Sequence, residues 1–104
     1  MAPPDESVAA FYANVVDGEF DAAYASWSEG MRARYPREGN LDGRFAETAA
    51  IRWDQLAVVE QTERAAIVQA NFTETYDDGG SRSFVGYWEL VLVDGRWLLD
   101  EPHY

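Results

Sequence analysis

The chain has no cysteine and no lysine, a single histidine, and no run of about 18 apolar residues that could cross a bilayer. The missing thiols exclude disulfides, thiol catalysis, iron–sulfur clusters and thiolate zinc sites together, while leaving the compartment open. The missing lysines mean that all 8 basic residues are arginine, set against 19 Asp+Glu for a formal net charge of -11. A surface of that sign repels phosphate backbones and anionic headgroups, so neither a nucleic-acid partner nor membrane insertion is expected and the protein should be soluble. Met1–Ser7 carries no positive stretch and no apolar stretch, so no signal peptide is expected. Nucleophile motifs and phosphate-cradling glycine loops are absent, and no cofactor is expected. Asp17, Glu19 and Asp21 alternate like the start of a calcium loop but lack its sixth-position glycine; they read as an acidic helix start, and no metal site is expected.

What is abundant is apolar and aromatic bulk: 47% hydrophobic residues, with 4 Trp, 6 Tyr and 5 Phe in 104 residues. That is enough for one core and one domain spanning 1–104, with residues 1–4, ending in Pro3-Pro4, read as a linker or tag remnant. Val8, Phe11, Tyr12, Val15 and Val16 recur at three and four residues, predicting a helix capped by Asp5 and ended by Asp17-Gly18. Phe20, Ala23, Tyr24 and Trp27 predict a second helix from about Glu19 to Trp27, and Ser28 caps a short third turn through Met31 and Tyr35. Pro36 to Gly39 is a breaker cluster, and Leu41 to Ala50 predicts one more short helix with Phe45 inward.

The second half changes period. Ile51–Gln61, Arg64–Tyr76, Ser83–Val93 and Arg96–His103 predict four antiparallel strands, joined in part by turns at Asp77-Asp78-Gly79-Gly80 and Asp94-Gly95. A two-residue turn at Asp94-Gly95 pairs Val93 with Arg96 and Leu92 with Trp97. Gly86, Trp88, Leu90, Leu92, Trp97 and Leu99 then share the face that packs on the helices. The opposite face carries Tyr87, Glu89, Val91, Val93 and Leu98, too apolar for plain solvent, and is the candidate homodimer interface. The fold class is therefore α+β, with N-terminal helices packed on one face of a curved antiparallel sheet.

Val8 to Tyr24, a helix, an acidic-glycine turn and a second helix, resembles the opening of nuclear transport factor 2-like (NTF2-like, or SnoaL-like) domains, and Phe84 to Asp100 is similar to their closing hairpin. The two stretches bracket most of the chain in the right order. The resemblance implies a cone with a cavity between sheet and helices, often homodimeric through the outer sheet face. It implies no single function, because that superfamily houses isomerases, dehydratases, cyclases, binding modules and accessory domains.

The ketosteroid isomerase version of such a cone needs a carboxylate base and a pair of hydrogen-bond donors. The resemblance puts Phe11 where that family's tyrosine sits and Trp88 near its neutral carboxylic acid, so both donors are lost, unless a one-residue slip brings Tyr12 into play. His103, the only histidine, lies one residue from the end and reads as a terminal packing residue rather than an acid–base catalyst. The aromatics either simply fill the cone, or Tyr12, Tyr24, Trp27, Tyr35, Trp53 and Trp88 line a residual pocket for a small apolar ligand. The expectation is a non-catalytic interaction or ligand-binding module, an accessory domain of a larger bacterial protein. The alternative is a small lyase or isomerase of the polyketide cyclase or ketosteroid isomerase type, using Tyr12 with Glu38 or Asp100 on an apolar ring compound.

Overall fold

A computed structural model describes all residues from Met1 to Tyr104. Helix α1 (Pro4–Val16) starts one residue before the expected cap. Pro3 is its N-cap, its carbonyl accepting from the Glu6 and Ser7 amides, and Asp5 and Glu6 lie in the first turn where they complement the helix dipole. Pro4 is buried, so of the expected linker at residues 1–4 only Met1, Ala2 and Pro3 lie outside the core. Gly18, at a φ of 75°, turns the chain into α2 (Phe20–Ala25), which stops before Trp27. Helix α3 (Glu29–Arg34) is capped as expected by Ser28, whose hydroxyl accepts from the Met31 amide at 3.0 Å.

The helix expected over Leu41–Ala50 does not form. In its place a π-helical turn spans Glu38–Asp42, and Thr48 already belongs to strand β1 (Thr48–Gln61). Leu41 and Phe45 are one helical step apart and both buried, which satisfies a single turn as well as a helix. Beyond them, pairing with β2 (Ala65–Tyr76) takes Thr48, Ala50 and Ile51 opposite Tyr76, Thr75 and Glu74, and the ladder outweighs the helix propensity of two alanines.

The sheet is antiparallel, curved and unclosed, in the order β1-β2-β4-β5. The third expected strand is two: β3 (Ser81–Phe84) and β4 (Tyr87–Val93) lie end to end along the same edge of β2, broken at Val85-Gly86. Asp94-Gly95, with φ of 51° and 77°, links β4 to β5 (Arg96–His103) with Val93 opposite Arg96 and Leu92 opposite Trp97. The far edge of β5 is covered by the Ser26–Ser28 segment. The Ser28 amide donates to Leu99 O at 2.9 Å and the Leu99 amide to Ser26 O at 2.8 Å, so Trp27 sits in line with the sheet.

Alternate residues of β2, Ala66, Val68, Ala70, Phe72 and Glu74, are buried on the inner face with Trp88, Leu90, Trp97 and Leu99. Val8, Phe11, Tyr12 and Val15 of α1 pack against them, each large apolar side chain contributing about 1.5–3 kcal/mol. Tyr87, Glu89, Val91, Val93 and Leu98 occupy the outer face, half-buried except for exposed Glu89 and Val93. His103 ends β5 on that outer side, stacked on Tyr87 at 4.3 Å with Nε2 2.5 Å from Glu89 Oε2.

Candidate functional site

Between the inner sheet face and the segment from α3 to Phe45 lies a cavity of about 260 Å³. Phe11 and Tyr12 of α1, Trp27, Met31 and Tyr35, Arg44 and Phe45, Phe72 and Phe84, and Trp88 with Tyr104 make most of its wall. Sequence position explains this convergence element by element. Phe11 and Tyr12 come from the inward stripe of α1, Phe72 and Trp88 from the inward phase of β2 and β4, and Trp27 from the segment bridged to β5.

Tyr12 is 3% exposed and packs its ring on Phe72, Phe11 and Trp53 at centroid distances of 4.8, 5.0 and 5.3 Å. Its hydroxyl oxygen accepts from Trp88 Nε1 at 3.1 Å. Burial, and after it the neighbouring Tyr104 phenol, pushes the Tyr12 hydroxyl well above the ordinary phenol range. At physiological pH it is therefore a neutral hydrogen-bonding group and not a base.

Trp27 is 2% exposed, and its indole N–H is the one buried side-chain polar atom of the chain with no hydrogen-bond partner. An unmet buried donor costs about 1–3 kcal/mol, and with under 1 Å² of accessible surface this one is sealed in the packing beside the cavity.

Arg44 is the only charged residue of that wall. Its Nη1 and Nη2 donate to Glu74 Oε2 and Oε1 at 2.9 and 2.8 Å, a bidentate pair with Glu74 wholly buried at the inner end of β2. Thr48 Oγ1 donates to the same carboxylate, and Tyr76 reaches it at 3.5 Å. Burial works against the Arg44 charge, but the Glu74 hydrogen bonds and charge outweigh it and hold the guanidinium above its usual pKa. Its carbon lies 4.4 Å from the Phe45 ring centroid and 5.2 Å from that of Phe84.

The last residue closes the wall. Tyr104 lies across Gly86, where a Cβ would meet His103 O at 2.2 Å and the Tyr104 ring at 2.4 Å. Its hydroxyl donates to Ala70 O at 2.7 Å, and its ring meets Phe72, Phe84 and Trp88. Burial of the phenol pushes its pKa up to about 12. At the mouth, Tyr35 donates to Glu101 Oε1 at 2.5 Å, and this hydrogen bond raises the Tyr35 pKa. Arg37 clamps the π-helical turn by pairing with Asp42 and Asp21, which holds the Asp42 carboxyl below the usual carboxylate range.

Of the six residues expected to line a pocket, Tyr12, Trp27, Tyr35 and Trp88 do so. Tyr24 stands outside, with the guanidiniums of Arg32 and Arg37 at 4.2 and 5.1 Å from its ring, and Trp53 packs behind Tyr12 along a groove between α1 and β1. Glu38 is exposed, and Asp100 accepts from Ser28 Oγ at 2.5 Å; neither lines the cavity, so the wall has no carboxylate base beside Tyr12. Asp17, Glu19 and Asp21 are exposed, and no three acidic or histidine side chains converge on one point. Sequence reasoning missed Glu74, although a charge in the inward phase of Ala66, Val68, Ala70 and Phe72 was a readable signal. It also missed Arg44 and Tyr104, for which no local signal exists. No protein-family model and no curated protein matches this chain.

Proposed function

We propose that this domain is a non-catalytic binding module of the NTF2-like kind that holds a small apolar ligand between its helices and its curved sheet. The observation that carries this reading is the cavity itself, a space of about 260 Å³ walled mainly by aromatic side chains from α1, the Trp27 segment, β2, β3, β4 and the end of the chain. The volume of about 260 Å³ lies just under the range of about 300–1,000 Å³ usual for drug-sized ligands, which limits the occupant to one ring or a short chain. Tyr12 and Tyr104 are neutral at physiological pH, and with no carboxylate in the wall, binding is favoured over proton transfer.

The test is thermal unfolding against a panel of one-ring compounds at millimolar concentration. A ligand that occupies the cavity raises Tm in proportion to the logarithm of its concentration. Met31→Trp, which fills the cavity, should abolish the rise. A panel that leaves Tm unchanged refutes the reading.

The same proposal places a second copy of the chain on the outer sheet face. Val93 is 44% exposed there beside half-buried Val91 and Leu98. Val91→Asp should convert a dimer to a monomer in sedimentation velocity; an unchanged sedimenting mass removes that face as the interface.

A further inference from the structure

Resting on the binding reading above, we propose that Tyr104 is a movable wall that sets the size of the occupant: seated, it limits the cavity to one ring, and released, it admits a fused two-ring apolar compound. Its seat is a place in the sheet where two donors compete for one acceptor. Gln69 pairs with Tyr87 and Phe72 with Phe84, so Ala70 and Asn71 face Gly86 and Val85 one for one, and the ladder can run through the break without a change of register. Ala70 N donates to Gly86 O at 2.9 Å, and in a regular antiparallel pair the Gly86 amide returns the bond to Ala70 O. Here that amide donates instead to Asn71 Oδ1 at 3.1 Å, and the Tyr104 hydroxyl takes Ala70 O at 2.7 Å.

Releasing Tyr104 therefore strands no backbone group. The Gly86 amide closes the ladder on Ala70 O, Asn71 Oδ1 keeps the Gln69 Nε2 donor at 2.8 Å, and the phenol passes to water. Little else holds the residue. Its backbone, beyond the end of β5, makes no hydrogen bond, it is 52% exposed, and its ring meets Phe72, Phe84 and Trp88 at centroid distances of 5.8, 6.4 and 6.5 Å. Those three neighbours are fixed in paired strands, and Phe11 and Tyr12 in α1. The cavity of about 260 Å³ falls about 40 Å³ short of the usual lower bound of about 300 Å³, a deficit close to one water's share of about 30 Å³, and a departing phenol ring exceeds it.

Toluene and naphthalene, each titrated into the whole chain while the Tyr104 ring is followed by NMR, separate the two states. Toluene should bind with Tyr104 still titrating at about 12, and naphthalene with it titrating near the ordinary value of about 10. Because only the released fraction takes naphthalene, its apparent affinity in the parent is reduced by that fraction. Tyr104→Ala, which removes the wall, should tighten naphthalene about tenfold and leave toluene within about threefold. Tyr104→Phe, which keeps the ring without the hydroxyl, should tighten naphthalene about fivefold, the worth of one hydrogen bond. Asn71→Ala tests the exchange of donors from outside the cavity. Asn71 lies in the outward phase of β2, and its loss frees the Gly86 amide for Ala70 O, so naphthalene should tighten and Tyr104 should titrate nearer 10 with no ligand present. A merely structural role for Asn71 would instead weaken both probes. Naphthalene affinity unchanged or lowered in Tyr104→Ala and Asn71→Ala, with toluene still bound, overturns the movable wall and leaves the binding reading standing. Should Tyr104→Ala not fold, Tyr104→Phe with Asn71→Ala decides in the same way. Absence of binding by either probe to the parent and to every variant removes the binding reading and this refinement with it.

Discussion

Gly86→Ala tests how the C-terminal residue and the cavity are coupled. The new methyl would stand 2.2 Å from the backbone oxygen of His103 and 2.4 Å from a ring carbon of Tyr104. A side chain could swing away, but a strand carbonyl cannot, so the end of β5 has to move. Forcing one carbon into a packed site costs about 1–3 kcal/mol, and the lost Tyr104 hydrogen bond to Ala70 O adds about 1 kcal/mol. The sum, about 2–4 kcal/mol, lowers Tm by roughly 4 °C or more per kcal/mol at this chain length and is measured by urea unfolding. The second readout is local. Tyr104 titrates at about 12 because its phenol is buried against the sheet, and once displaced it should titrate nearer the ordinary value of about 10 by ultraviolet absorbance. A variant within about 0.5 kcal/mol of the parent, with the Tyr104 titration unmoved, would refute the assignment of Gly86 as the seat of Tyr104.

The raised phenols of Tyr104 and Tyr12 also set the alkaline limit. Both bind their protons more tightly folded than unfolded, so stability is fully present below about pH 10 and falls as pH rises toward 12; urea midpoints across that window should decline. Arg44→Met should cost about 3–5 kcal/mol by stranding Glu74 in the core, and Arg44→Met/Glu74→Met should recover most of it, as read from a double-mutant cycle in urea. Ser28→Ala removes both the cap of α3 and the bond to Asp100, and should cost about 1–2 kcal/mol in chemical unfolding.

The sequence by itself determined what rests on neighbours in the chain. The α1 stripe, the Ser28 cap, the Asp94-Gly95 turn and the inward phase of Trp88, Leu90, Trp97 and Leu99 follow from periods of 3.6 and 2 and from residues that tolerate positive φ. The α+β class follows from those, because each element exposes one apolar face that the other must cover. Local pattern failed at Leu41–Ala50, where pairing of β1 with β2 overrode helix propensity, and at Val85-Gly86, where a strand that reads as continuous is broken to admit Tyr104. The site lay beyond it altogether. Tyr12 meets Trp88 across 76 positions, Tyr104 meets Ala70 across 34 and Arg44 meets Glu74 across 30. Only the tertiary structure could decide which aromatics fill space, which donor is left without an acceptor and which arginine is neutralised. Those properties belong to side chains that converge from distant elements, and no period in the sequence encodes their meeting.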